Sequence, residues 1–217
     1  MTDFSQMDFL TGIPDAGTPG QVFYTEADFS SSRPLSDPRA IRREMKRKTL
    51  NRLKKQKVEE ILPDLPKPGE AYHVISNGGF DFWTLAAWIV ERIGTKGLRF
   101  TGSTWILNRE NANDLLRLID AGNIGECLVV TGDYFKRRAP DIYATIAEGL
   151  ASRGQTLKCA KNHAKIILVS DENNNNTTME GSANWCHNQN IEQYQVTNDR
   201  GLLEFHRDWM RTVANVK

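Results

Sequence analysis

From residue 71 onward the apolar positions alternate between strand and helix periods. YHVIS (72–76) reads as a short strand. FDFWTLAAWIVERI (80–93) is apolar at 82, 85, 86, 89, 90 and 93, which is helical spacing. LRFTG (98–102) again reads as a strand, and ENANDLLRLIDAG (110–122) as a helix closed by Gly122. ECLVVTG (126–132) is a buried-strand pattern. Residues 138–154 predict a helix with Pro140 in its first turn and Gly154 past its end. Strand and helix in strict alternation predict a parallel or mixed sheet covered by helices. The last third differs. TLKCA (156–160), 163–171, 177–184 and EQYQVT (192–197) all predict strands. The asparagine-rich run 171–176 suits a hairpin tip, because Asn tolerates left-handed backbone geometry. A final amphipathic helix is predicted over 201–214, and the domain has no internal repeat.

The first 70 residues follow no such rhythm. Residues 1–37 carry six acidic groups and a single base, Arg33, among turn-rich runs such as TGIPDAGTPG. This composition predicts an extended arm. Residues 38–62 hold ten bases and three acids, with no Gly and no Pro after Pro38. They predict a basic helix with a thin, irregular apolar stripe. Two readings are open for it: a solvated helix resting its stripe on the domain, or a contact with nucleic-acid phosphates through Arg42, Arg43, Lys46, Arg47, Lys48, Lys54 and Lys55. A membrane-surface helix fits less well, because the apolar face has no aromatic anchors. PDLPKPGE (63–70) reads as a stiff linker, and the compact domain is expected to span 71–217.

Composition narrows the class. The chain has 217 residues, 39% hydrophobic and 25% charged, which supports one globular core. No run approaches the roughly 18 apolar residues of a membrane span. The start MTDFSQMDFL lacks a secretory pattern, so the expected address is the cytoplasm. Cys127, Cys159 and Cys186 include no CxxC pair and are expected to be reduced thiols. The formal net charge of +1 conceals an acidic arm beside a basic helix.

The candidate chemistry lies in the late strands. On a strand, residues two apart share a face, so His163 and Lys165 are expected to project together. Ser182 and Asn184 are expected to do the same after the hairpin, with Gly181 letting a ligand approach the backbone. An imidazole, an ammonium, a hydroxyl and a carboxamide around one point suit a phosphate diester. The imidazole can attack phosphorus or protonate a leaving oxygen, and the other groups can stabilise charge on the non-bridging oxygens. This chemistry requires no metal or cofactor. Trp185 is assigned to the cleft wall as a stacking surface, with packing as the equal alternative. Lys136, Arg137 and Arg138 are candidates for the substrate backbone. Trp83, Trp88, Trp105 and Trp209 are expected in the core, and His73, His187 and His206 in packing or surface roles.

HAK followed by GSAN and then by Asn190-Ile191-Glu192-Gln193 resembles the HKD motif of the phospholipase D superfamily, most closely over residues 159–197. The order of elements from residue 71 is also similar to one phospholipase D-like unit, and residues 1–70 are outside the resemblance. The implied fold is an α/β, phospholipase D-like mixed sheet flanked by helices, one HKD-type half, with an extended and helical N-terminal appendage. The resemblance implies that His163 is the nucleophile or the acid and base. It implies that Lys165 and Asn184 hold phosphoryl oxygens with Ser182 beside them, and that Glu192 orients a catalytic imidazole. One departure is visible: the family's aspartate falls one residue late, at Asp171, with Ser170 in its place. A one-residue shift on a strand moves a side chain to the other face, which makes Asp171 a turn residue and gives Ser170 the structural position.

A phosphohistidine mechanism needs two histidines, and this chain has one such motif. The resemblance therefore implies a homodimer sharing one active site. The leading expectation is a metal-independent phosphodiesterase, a nuclease, acting on nucleic acid and not on a membrane. The alternative is a catalytically inactive nucleic-acid-binding or assembly protein of phage or mobile-element type. A phospholipase ranks third, since nothing in the sequence supplies a lipid-facing surface.

Overall fold

The computed structural model describes residues 54–187 and 189–215. The arm 1–37 and the basic stretch 38–53, with Arg42, Arg43, Lys46, Arg47 and Lys48, lie outside the described residues. Seven strands form one mixed sheet: β1 (Ala71–Ser76), β2 (Leu98–Thr104), β3 (Ile124–Gly132), β4 (Thr156–Ala160), β5 (Ile166–Ser170), β6 (Asn176–Gly181) and β7 (Glu192–Asn198). Their order across the sheet is β1-β7-β6-β5-β2-β3-β4. β2, β3 and β4 run parallel, and every other neighbouring pair is antiparallel. The α/β class with a mixed sheet flanked by helices follows the hydrophobic pattern of the chain.

The helices are α1 (residues 54–61), α2 (Phe82–Ile93), α3 (Arg109–Asp120), α4 (Asp133–Arg138), α5 (Pro140–Ala151) and α6 (Arg200–Asn215). Side-chain caps place two of the starts. Asp81 Oδ1 accepts from Thr84 N at 2.7 Å and opens α2, while Asn108 Oδ1 accepts from Asn111 N at 2.8 Å and opens α3. α6 covers one face of the sheet, where Leu203 and Met210 meet Val130, Ile166 and Leu168. The interleaved Ile167 and Val169 are equally buried and point to the opposite face, where α2 packs on β5.

The helix predicted over 138–154 forms as α5, with Pro140 in its first turn. Proline disfavours helical geometry in the residue before it, and Ala139 sits at φ −137°, ψ 66°. The chain therefore breaks there, and Asp133–Arg138 form a separate short helix after β3. The predicted strands 163–171 and 177–184 are also shorter, so His163, Lys165, Ser182 and Asn184 lie just outside the ladder. Packing with the sheet begins before residue 71. Val58 and Leu62 are buried, and Lys55 Nζ lies 2.7 Å from Glu91 on α2. The proline-rich stretch is pinned to the end of β7, where Asn198 Nδ2 donates to Pro66 O at 3.0 Å and Gly69 N donates to Asn198 O at 2.8 Å.

The core centres on Trp185. Its ring lies 5.4 Å from that of Trp83 on α2 and 5.8 Å from that of Phe100 on β2. The ring occupies the space over Gly102, where a Cβ would run into its Cη2 and Cζ2 atoms. Both partners of that contact are buried and rigid. Gly102→Ala is therefore expected to destabilise the fold by about 1–3 kcal/mol, the usual scale of overpacking. A denaturant midpoint equal to wild type would show that the indole can move aside.

Candidate active site

His163, Lys165, Ser182, Asn184 and Glu192 lie at one end of the sheet. β2, β3 and β4 end there, β1 and β6 end there, and β5 and β7 begin there. This is the end at which parallel α/β sheets present their ligand-binding loops. His163 is exposed, in the turn between β4 and β5, while Lys165 behind it is only 8% exposed. Lys165 Nζ lies 2.9 Å from His163 Nδ1, 3.2 Å from Nε2 and 2.6 Å from the His163 carbonyl oxygen. An ammonium within reach of both ring nitrogens cannot be collinear with the lone pair of either. Lys165 therefore sets the local charge and leaves the imidazole tautomer open.

Burial lowers the His163 pKa, and the Lys165 ammonium lowers it further, so the imidazole is held below the usual histidine range. At neutral pH it is the unprotonated, nucleophilic form that is favoured. Burial also lowers Lys165, against the opposing pull of Glu192.

The second half of the motif is adjacent. Gly181 N donates to Lys165 O at 3.1 Å, which sets β6 beside Lys165. Ser182 Oγ donates a short hydrogen bond to Glu192 Oε2 and accepts from Gln193 N at 3.1 Å. The expected partner of Glu192 is an imidazole; Ser182 is one partner that the structure places on it. Asn184 is half-buried, and its Oδ1 is buried with no hydrogen-bond partner. An unmatched acceptor costs about 1–3 kcal/mol, a cost relieved when a donor arrives. Cys186 forms part of the floor. Burial pushes its thiol up to about 12, which leaves it inert.

The Trp185 assignment needs correction. Trp185 is fully buried in the core, so it cannot stack on a substrate; it anchors the loop that carries Asn184. Its backbone N donates to Thr104 Oγ1 at 3.2 Å, and its carbonyl accepts from Asn108 N and Asn111 Nδ2, both at 3.2 Å. Gly181 has a packing reason of its own, because a Cβ would lie 2.7 Å from Tyr194 Cδ1 and 3.2 Å from Phe82 Cε2. Other candidates are dispersed. Lys136 and Arg137 are exposed on α4, with Arg138 half-buried behind them. Lys54 pairs with the buried Asp81 at 3.1 Å, and Lys55 with Glu91, so both charges face the domain. His187 lies near Lys54 and Asp81, where burial first and then Lys54 lower its pKa. His206 is a packed residue, accepting at Nδ1 from Trp209 Nε1 and bonded through Nε2 to Glu180. Asp171 is a turn residue whose carboxylate accepts from Asn173 N and Asn175 N, and Ser170 is buried and accepts from Arg207.

Three residues matter that sequence reasoning missed. Asn162 clamps the turn that carries His163. Its Nδ2 donates to Ser103 Oγ at 2.9 Å and Thr104 O at 3.3 Å, and its Oδ1 accepts from Ala164 N at 3.1 Å. Ser103 Oγ also reaches Ala164 O at 3.0 Å. These side chains replace ladder bonds, which explains why the strand starts only at Ile166. Trp105, expected in the core, is half-buried at the rim with its ring 5.2 Å from that of His163. An Asn directly before HAK was the visible signal for the clamp; nothing in the sequence distinguished Trp105.

A cavity of about 600 Å³ lies elsewhere, between α1, α2 and α3, lined by Lys55, Trp83, Glu110 and Arg117 among others. It contains none of the motif residues. Among the described residues, no three His, Cys, Asp or Glu side chains converge as metal ligands, and no helix is long and apolar enough to cross a membrane.

Lys165→Met is expected to raise the His163 pKa, because it removes the adjacent positive charge. An NMR titration of the imidazole checks this, and an unchanged or lower value would refute the electrostatic coupling. Asn162→Ala is expected to lower kcat on a diester about tenfold or more with little change in KM, since it loosens the nucleophile and not the substrate contacts. A proportionate rise in KM instead would refute the positioning role.

No family model matches this chain, and no curated protein matches it. Solved structures similar to it include Nuc, a phospholipase D family member from Salmonella typhimurium, at 17% identity and TM-score 0.49, covering 67% of this chain and 94% of that one. NucT from Helicobacter pylori is similar at 15% identity and TM-score 0.43, covering 66% of this chain and 96% of its own. Phosphatidylserine synthase from Haemophilus influenzae Rd KW20 is similar at 10% identity and TM-score 0.47, covering 67% and 38% respectively. At these levels of likeness, what the chain does has to be argued from its own side chains.

Proposed function

We propose that this protein is a phosphodiesterase of phospholipase D type that cleaves nucleic acid through a phosphohistidine. The observation that carries this reading is an exposed imidazole, kept unprotonated, against the buried Lys165 ammonium, with Ser182, Asn184 and Glu192 at the same sheet end. In the proposed reaction a His163 ring nitrogen attacks phosphorus. The P–N bond forms and the bond to the leaving oxygen breaks. Lys165 and the Asn184 amide stabilise charge on the non-bridging oxygens. The leaving oxygen takes a proton from a second imidazole on the opposite side, which enters the step as the imidazolium. Water then attacks phosphorus, returns a proton to that imidazole and frees His163.

The described chain offers a single imidazole in this setting, so the second is assigned to His163 of another protomer. Support for a surface that meets a second copy comes from Ile191, 76% exposed next to Glu192, and Ile75, 66% exposed on the edge strand opposite Gln193. Basic residues on α4, at the same end as His163, favour a polynucleotide over a lipid.

The test mixes His163→Ala chains with wild-type chains in EDTA and measures oligonucleotide cleavage and covalent labelling of His163. Heterodimers are expected to lose nearly all turnover, with labelling confined to wild-type chains. Full activity per wild-type chain would overturn the shared site. A need for a divalent ion would overturn the mechanism. Tight binding of nucleic acid with no turnover by wild type would favour the non-catalytic reading.

A further inference from the structure

Tyr134, Trp105 and His163 form a run of ring contacts at the site's rim. The Trp105 ring lies 4.5 Å from that of Tyr134 at 19° between planes, and 5.2 Å from that of His163 at 56°. Trp105 follows β2 directly and Tyr134 opens α4, and both are half-buried. Gly132 makes room for the pair, since a Cβ there would run into Trp105 Cδ1. A stacked aromatic pair of this kind usually belongs to a core. Here it stands beside the exposed His163, with Tyr134 on Trp105 and Trp105 next to the imidazole.

Positive charge lies in the same two segments, with Lys136 Nζ 5.8 Å from the centre of the Tyr143 ring. Lys136 and Arg137 are exposed two and three residues beyond Tyr134, and Lys161 is exposed two residues before His163. Among the described residues these three form no ion pair. Arg109, Arg117 and Arg153, on or near the adjoining helices, each pair with a carboxylate. Lys136, Arg137 and Lys161 are therefore exposed charges that no carboxylate of the described residues neutralises.

We propose that Tyr134, backed by Trp105, stacks an unpaired base next to the scissile phosphate while Lys136, Arg137 and Lys161 hold neighbouring phosphates, so that the substrate is a single-stranded polynucleotide. The proposal rests on the phosphodiesterase reading of His163. A duplex keeps its bases inside its own stack and cannot offer one to a ring beside the backbone, whereas a single strand can splay a base onto any aromatic face. Recognition of this kind is indifferent to sequence, because every base has a π-face.

The experiment compares the full chain with Tyr134→Ala, Tyr134→Phe and Lys136→Ala/Arg137→Ala on three substrates. These are a single-stranded oligonucleotide, its duplex, and methyl 4-nitrophenyl phosphate. Arg200→Ala, at the far end of the sheet, serves as the neutral control. Wild type is expected to favour the single strand over the duplex by about tenfold or more. Tyr134→Ala should lower kcat/KM on the single strand by roughly 5- to 100-fold, the range of one lost base stack, and by much less on the small diester. Tyr134→Phe should restore it. The double lysine–arginine variant should flatten the salt dependence by about 0.7 per base removed. Equal cleavage of duplex and single strand would overturn the proposal. So would an equal loss on oligonucleotide and small diester, since the ring would then merely support His163. If wild type hydrolyses none of the three, the phosphodiesterase reading falls. Binding of a labelled single strand then still decides the platform: a 5- to 100-fold weakening by Tyr134→Ala supports it, and no change overturns it.

Discussion

The indole of Trp185 packed over Gly102 is the contact on which the other parts depend. It joins three elements at once: β2 through Gly102 and Phe100, α2 through Trp83, and the loop after β6 through its own backbone. Only a residue without a side chain lets a ring that large approach the middle of a central strand. Because Trp185 follows Asn184 immediately, burying the indole also fixes where the carboxamide stands. Core packing and site geometry are here the same interaction.

A second constraint acts on the other half of the motif. The turn with His163 has left the sheet, so its backbone groups need partners of another kind. Asn162 and Ser103 provide them, tying the turn to the ends of β2 and β3. The imidazole is thereby exposed on a rigid support, while Lys165 is buried directly behind it. In the proposed reaction this division of labour gives an accessible nucleophile and a charge that water does not fully screen. The same strand ends bring Trp105, Tyr134 and α4 to the rim, so the proposed attack and the proposed substrate contacts share one edge of the sheet.

The appendage is integrated further than its composition suggests. Residues 54–62 place Val58 and Leu62 against the domain, and Lys54 and Lys55 bond to carboxylates of α2 and its cap. A charge run looks solvated when only its own residues are counted. Its partners, Asp81 and Glu91, are some thirty residues away in the chain, and pairing over that distance has no local signature.

Much was legible from the residues alone. Periodicity marked the strands and most helices, because each pattern follows from which face of an element is buried. His163, Lys165, Ser182 and Asn184 were visible because short spacings put chemically matched groups on neighbouring segments. Asp171 and Ser170 were separable because a single-residue shift on a strand changes face. What tertiary structure alone decided were the relations between distant segments. Trp185 went to the core and Trp105 to the rim, although both are tryptophans beside motif or strand ends. Gly181 makes room for Tyr194 and Phe82, and Asn162 became the clamp of the turn that carries His163. Local sequence encodes which side chains are apolar and which backbone conformations are accessible. It does not encode which ring wins the space over Gly102, because that depends on how closely three remote elements can pack.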